Sequence, residues 1–250
     1  MDNVVQLTEV DAYARFGADK NTERKAFLQQ IAQAVVGQVT SGKGSTTALL
    51  TALGRAAGEG RLDVWSANPT EQEVLATTPL AHEVPTDPAP YAGVSVNNYS
   101  NGKLDYYLDR TISYQASGCT GQYRTSTVTV TLTNSAPTSG LPAYVTNQRR
   151  DYPQGPPGTN TVNLQLLATN DVLTRSVSLD GSAAPFGLTS DRGHPALTLL
   201  VQLHPGQTRT VVFDLLEPTS ATGAARVPAQ PLVQPAQITS AVPACTGTTG

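Results

Sequence analysis

The sequence predicts an α+β chain: a small helical segment with one short strand over 1–90, an immunoglobulin-like antiparallel β-sandwich over 91–216, and a proline-rich extended tail over 217–250. Three observations predict it. Apolar residues recur at helical spacing through roughly the first 80 residues. Pro79, Pro85, Pro88 and Pro90 then break that pattern. Everything after them alternates with period two, the mark of strands.

In the helical segment, Phe27, Leu28, Ile31, Val35 and Val39 form one apolar stripe over 22–41, and Gly42 follows as a natural helix stop. Ser45 is placed to cap the next helix, whose Leu49, Leu50, Leu53 and Ala57 are expected to face inward before Gly58 and Gly60 end it. Asn68-Pro69-Thr70-Glu71 starts another, with Asn as N-cap, Pro in the first turn and Glu reaching back. Between these helices Leu62-Asp63-Val64-Trp65 alternates like a short strand.

Beyond the prolines, Tyr91–Tyr99 and Lys103–Gln115 flank Ser100-Asn101-Gly102, and Asn-Gly between apolar runs predicts a hairpin because both residues tolerate positive φ. In 123–134, Val128, Val130 and Leu132 share one face while Thr125, Thr127, Thr129, Thr131 and Thr133 share the other, as in a sheet with one wet side. Similar runs lie at 161–169, 172–179, 196–203 and 208–216, the last two joined by His204-Pro205-Gly206-Gln207, a type II turn sequence. Short strands at such spacing predict the immunoglobulin-like sandwich. Asp151–Gly158 reads as a long loop, and the tail as extended chain held at its far end by Cys245.

Charged residues are 14% of the chain, against about 25% in an average domain. The net charge of −3 leaves no basic surplus to draw DNA, RNA or an anionic membrane surface. No apolar run is long enough to span a bilayer, and Met1-Asp2-Asn3 does not open a signal peptide. Twelve Arg against four Lys, with a single Met, reflects a GC-rich genome. The two cysteines, Cys119 and Cys245, sit in turn-like settings without metal-ligand spacing or a partnering His, so a structural disulfide is expected over two free thiols. Such a bridge would contribute ~4–5 kcal/mol on the chain-entropy model and implies an extracytoplasmic address. An export signal is then expected upstream.

No catalytic, metal or cofactor site is assigned. Gly37, Gly42 and Lys43 match a phosphate-binding loop, but Gly44 stands where Ser or Thr must hold Mg²⁺, and the match follows a helix. His82, His194 and His204 are expected in solvated loops. Asp105 and Asp109 are predicted to share a strand face, where paired carboxylates serve acid–base work or a cation, or simply face water. Arg110 falls on the opposite, apolar face with Leu104, Tyr106, Leu108 and Ile112, which predicts a buried ion pair or an interface contact. Asn98-Tyr99-Ser100 is a glycosylation sequon in form.

Several stretches, Asp11-Ala12-Tyr13-Ala14-Arg15-Phe16, Gly60-Arg61-Leu62-Asp63-Val64-Trp65-Ser66 and above all Lys103-Leu104-Asp105-Tyr106-Tyr107-Leu108, resemble the C-terminal half of actinobacterial proteins of the "domain of unknown function 4012" family. The resemblance implies a membrane-anchored envelope protein whose anchor and further domain lie upstream. Ala12-Tyr13-Ala14-Arg15, Arg24 and Phe27-Leu28-Gln29-Gln30 are also similar to a stretch of LytR-CpsA-Psr enzymes, which transfer polyprenyl-pyrophosphate-linked glycopolymers to the cell wall. That similarity implies a phosphate-holding role for Arg15 and Arg24, the rest of the site lying upstream. The expected function is a non-catalytic envelope binding or scaffolding module, with a cell-wall or capsular glycopolymer or another envelope protein as partner. The alternative is part of a glycopolymer phosphotransferase.

Overall fold

The computed structural model describes residues 4–42 and 45–246, and the chain divides into two compact units, Met1–Pro85 and Thr86–Gly250. The first unit is helical: α1 (Val4–Gln6), a π turn, α2 (Ala12–Arg15), α3 (Asn21–Thr40), α4 (Thr46–Gly58) and α5 (Pro69–Ala76). Its ends follow local chemistry. The Ser45 hydroxyl accepts from the Ala48 amide at 3.2 Å, and the Asn68 side chain accepts from the Thr70 amide at 3.0 Å. Gly42 takes a positive φ of 61° just past α3, where a side chain would be strained. Glu71 departs from the expected capping box, because its carboxylate accepts from the Ser66 hydroxyl at 2.6 Å. Lys43 and Gly44, the end of the loop-like match, lie outside the described residues.

Leu62–Trp65 forms no strand; it is an extended run in which the Val64 amide donates to the Leu80 carbonyl at 2.8 Å. Alternation makes a strand only where a neighbour supplies a ladder. The unit also buries little. Among its described residues only Ala12 and Arg24 are buried, the α3 stripe is half-covered at Phe27, Leu28, Ile31 and Val35, and Leu50 of α4 is 63% exposed. Of the expected inward face of α4, Leu49 and Ala57 are half-buried while Leu50 and Leu53 stay exposed.

The second unit holds the core. Its strands are β1 (Ala92–Asn98), β2 (Leu108–Ala116), β3 (Tyr123–Asn134), β4 (Asn160–Ala168), β5 (Leu173–Leu179), β6 (Ser182–Ala183), β7 (Gly187–Asp191), β8 (His194–Leu203), β9 (Thr208–Pro218) and β10 (Gln237–Ala241). They form a sheet in the order β1-β4-β8-β7 and a second in the order β10-β2-β3-β9-β5-β6. Every pairing is antiparallel except β10 with β2. Alternate side chains from both sheets, among them Val94, Leu108, Val130, Leu164, Leu197 and Phe213, meet in one core. On the outer face of β3 the threonines pair across to β9, Thr131 with Thr210 at 3.3 Å and Thr133 with Thr208 at 2.8 Å. The chain is thus α+β, with two sheets that share one core.

The Asn101-Gly102 hairpin does not form. β1 pairs with β4, and β2 lies in the other sheet, so residues 99–107 carry the chain from one sheet to the other. Tyr99 and Ser100 amides both donate to the Thr161 carbonyl and hold the chain on β4 until it turns away. Gly102 then passes so close to the strand-free segment at 145–147 that a Cβ would sit 2.6 Å from the Val145 carbonyl oxygen. Asp105–Tyr107 is a 3-10 turn, so the predicted strand begins only at Leu108.

The tail is likewise part of the fold. Ala92 and Val94 amides donate to the Arg226 and Pro228 carbonyls, adding residues 226–230 to the β1 edge. The chain then crosses to the other sheet and adds β10 to the β2 edge. Val227, Leu232, Ala236 and Val242 pack partly buried against the core.

Candidate functional site

Where β3 and β9 meet near their ends, Arg124 and Glu217 are direct cross-strand partners on inward positions. Both side chains are fully buried, and the Arg124 guanidinium donates to Glu217 Oε1 at 2.6 Å. The Tyr114 hydroxyl of β2 donates to the other carboxylate oxygen, Glu217 Oε2, and lies 3.3 Å from Thr169 Oγ1. Thr169 in turn accepts from the Tyr91 amide at 2.9 Å. Burial, and next the Glu217 charge, push the Tyr114 pKa far above the ordinary phenol value, so it stays a donor. Both oxygens of Glu217 are therefore engaged and shut away from solvent, which makes the cluster a clamp; no carboxylate oxygen is presented to a substrate.

The clamp reaches the tail. Arg124 also donates to the Pro243 carbonyl and contacts Cys119 Sγ at 3.5 Å. Cys119 and Cys245 form the expected disulfide, with Cα atoms 5.6 Å apart, and the Cys245 backbone bridges Thr222.

Above this end of the sandwich lies an open groove of about 840 Å³. Three strand ends of one sheet supply its floor: Tyr123 opens β3, Pro218 closes β9 directly opposite it, and Leu173 opens β5, with Val172 beside them. Tyr123 is 41% and Leu173 51% exposed. Gln122, Asp171, Ser220 and Thr222 form the rim, together with Thr219. The rim loops are held in place, since the Thr219 hydroxyl donates to the Gly121 carbonyl at 2.6 Å and the Thr219 amide to the Gln122 carbonyl at 2.9 Å. Asp171 occupies a turn with φ of 58°, a conformation Asp tolerates.

The expected sites fall elsewhere. Arg24 is buried, donates to Asn21 Oδ1 at 2.8 Å and lies over the Tyr13 ring. Arg15 is exposed, its guanidinium 5.3 Å from the ring centroids of both Phe16 and Phe27. Asp105 and Asp109 share no strand face: Asp105 belongs to the 3-10 turn and accepts from Asn98 Nδ2 at 2.9 Å, while Asp109 points to solvent from β2. Arg110 does face inward, and its guanidinium donates to the Gln230 and Gln234 carbonyls of the tail. His194 is not a solvated loop residue. It is buried at the start of β8, where Nδ1 donates to the Ala168 carbonyl at 2.7 Å and the ring packs on Tyr91. His82 is exposed, 3.7 Å from Asp63. His204 Nδ1 meets Thr159 Oγ1 at 3.0 Å.

The clamp was within reach of the sequence. Arg124 has the parity of Val128, Val130 and Leu132, and Glu217 that of Val211, Phe213 and Leu215, so opposite charges fall on inward positions of two strands. The groove left no such trace, because it is built from strand ends distant in sequence. Among the described residues no His, Cys, Asp and Glu cluster is arranged to hold a metal, and no helix is long and apolar enough to cross a membrane.

No family model matches the chain, and no curated protein matches it in sequence. Solved structures give only partial superpositions. A protein of Legionella pneumophila described as nutrient-binding superposes with a TM-score of 0.28 at 8% identity, over 51% of this chain and 43% of that one. An M1 zinc metallopeptidase of Deinococcus radiodurans gives 0.21 at 12% identity, over 52% of this chain and 20% of that one. The chain thus spans less than half the length of either, and likeness at this level assigns no activity.

Proposed function

We propose that the chain is a non-catalytic, extracytoplasmic binding or scaffolding module of a larger membrane-anchored envelope protein. The observation that carries this reading is the Cys119–Cys245 disulfide, which closes the tail onto the sandwich and is a device of oxidising compartments. The exposed apolar side chains of the helical unit, Leu50 and Trp65 (77% exposed) among them, support reading residues 1–90 as the end of a larger upstream domain. The sandwich is read as immunoglobulin-like in its facing sheets of short, mainly antiparallel strands. It departs from the constant type in strand number, its sheets holding four and six strands where that type holds four and three.

Co-sedimentation of the oxidised full chain with washed, protein-free actinobacterial cell walls tests this reading. Saturable retention is expected; retention no greater than that of the unfolded chain would reject wall binding. The second reading, part of a glycopolymer phosphotransferase, draws on the exposed Arg15 guanidinium, a group suited to phosphate. Binding of a polyprenyl-pyrophosphate analogue to the full-length protein that is lost in Arg15→Ala would favour it, and unchanged binding would remove it.

A further inference from the structure

We infer that the groove over the Cys119–Cys245 end of the sandwich binds a neutral oligosaccharide, with the Tyr123 ring as its stacking platform. The inference rests on the binding-module reading and names the ligand class and the site. A sugar ring has two needs: a flat apolar surface for its C–H face, and groups that both donate to and accept from its hydroxyls. The groove supplies the first through the exposed Tyr123 and Leu173, backed by the buried Val172 and Pro218, and an aromatic ring is the surface that sugar C–H groups favour.

It supplies the second through the rim. The Gln122 amide donates and accepts, the Asp171 carboxylate accepts, and the Ser220 and Thr222 hydroxyls do either. The volume lies within the roughly 300–1,000 Å³ usual for ligand sites. The groove is open, so it admits an internal run of a chain and needs no free end.

Charge selects among glycans. Among the described residues no Lys or Arg lines the groove, and Asp171 puts a negative charge on its rim. A phosphate-bearing polymer would meet repulsion there and no guanidinium or ammonium to pair with, so the site fits an uncharged chain. Its walls are also set before binding. Thr222 is bridged to Cys245, Cys245 is bonded to Cys119, and Thr219 is tied to Gly121, so little loop ordering is left for the ligand to drive.

An amide NMR titration of the oxidised full chain tests the site, using neutral hexasaccharides of glucose, mannose, galactose and arabinose, with poly(glycerol phosphate) as the anionic counterpart. At least one neutral hexasaccharide is expected to shift Gln122, Tyr123, Asp171, Leu173 and Ser220 saturably. Tyr123→Ala is expected to weaken it by at least about tenfold, while Tyr123→Phe, which keeps the ring face, holds within about threefold. Asp171→Gly, which keeps the positive φ of that turn, gives a second variant and is expected to weaken binding as well. No groove shift with any neutral probe at about 10 mM, groove shifts with poly(glycerol phosphate) alone, or unchanged affinity in Tyr123→Ala would each overturn the site. The two readings fail separately. Retention on cell walls without groove shifts removes the groove and leaves the envelope module, whereas groove shifts without wall retention do the reverse.

Discussion

Arg110 and Gln230, 120 residues apart in sequence, meet where the tail crosses between the sheets: the buried guanidinium donates to the Gln230 carbonyl at 2.9 Å. The same guanidinium holds the Gln234 carbonyl at 3.2 Å, while the Gln230 side chain accepts from the Val96 amide at 3.0 Å. One cation on β2 thereby fixes the segment that leaves the β1 edge and joins the β2 edge.

Arg110→Met keeps the apolar stem and removes the donors. It is expected to cost about 2–4 kcal/mol, because the carbonyls it held lose charge-assisted partners in a buried setting. Urea denaturation measures the loss. A variant as stable as the parent would show that the crossing is held by apolar packing alone.

Arg124 and Glu217 form a fully buried pair, so removing one partner strands the other. Arg124→Met or Glu217→Leu alone is expected to cost about 3–5 kcal/mol, and the double variant to recover most of it. A double-mutant cycle in chemical denaturation checks this, and additive losses would mean that the two charges do not depend on each other.

Tyr114 gives a pH dependence with a definite sign. Burial, then the Glu217 charge, raise its pKa in the folded protein. Unfolded tyrosine releases its proton near pH 10, while the folded form keeps it. The unfolded state then binds fewer protons, so stability falls as pH rises past about 10. In a phenolate absorbance titration of the folded protein Tyr114 should stay silent at the pH where unfolded tyrosine ionises. Tyr114→Phe should flatten the alkaline decline by about one proton.

Reduction of the disulfide should free the end of the tail before the sandwich unfolds. β10 is exposed along its whole length and pairs on one side only, with β2. Residues 226–230, by contrast, are bonded into the β1 edge, and Arg226 pairs with Asp87 at 2.7 Å. Thermolysin is therefore expected to cut first between Ile238 and Val242 in the reduced chain and to leave the oxidised chain intact there. Equal cleavage in both would show that the bridge does not hold the tail, and two free thiols by mass spectrometry in oxidatively produced protein would remove it altogether.

What the sequence by itself determined is local or forced. The Ser45 and Asn68 caps, the Gly42 stop and the inward parity of Arg110 depend on chemistry within one turn or one pleat. The disulfide was legible because only two cysteines exist. What the tertiary structure decided is partnership. β1 finds its mate in β4, with Ala92 opposite Ala168, although Asn101-Gly102 stands ready to fold it onto β2. Asp105 leaves the strand it was predicted to share with Asp109, and the tail adds an edge to each sheet. The groove exists only because Tyr123, Leu173 and Pro218 end their strands at the same place. Periodicity and turn residues act over a few positions and state which face is apolar. Which apolar face covers which is set by closing one core over distant segments, where the area removed from water outweighs what a single turn prefers.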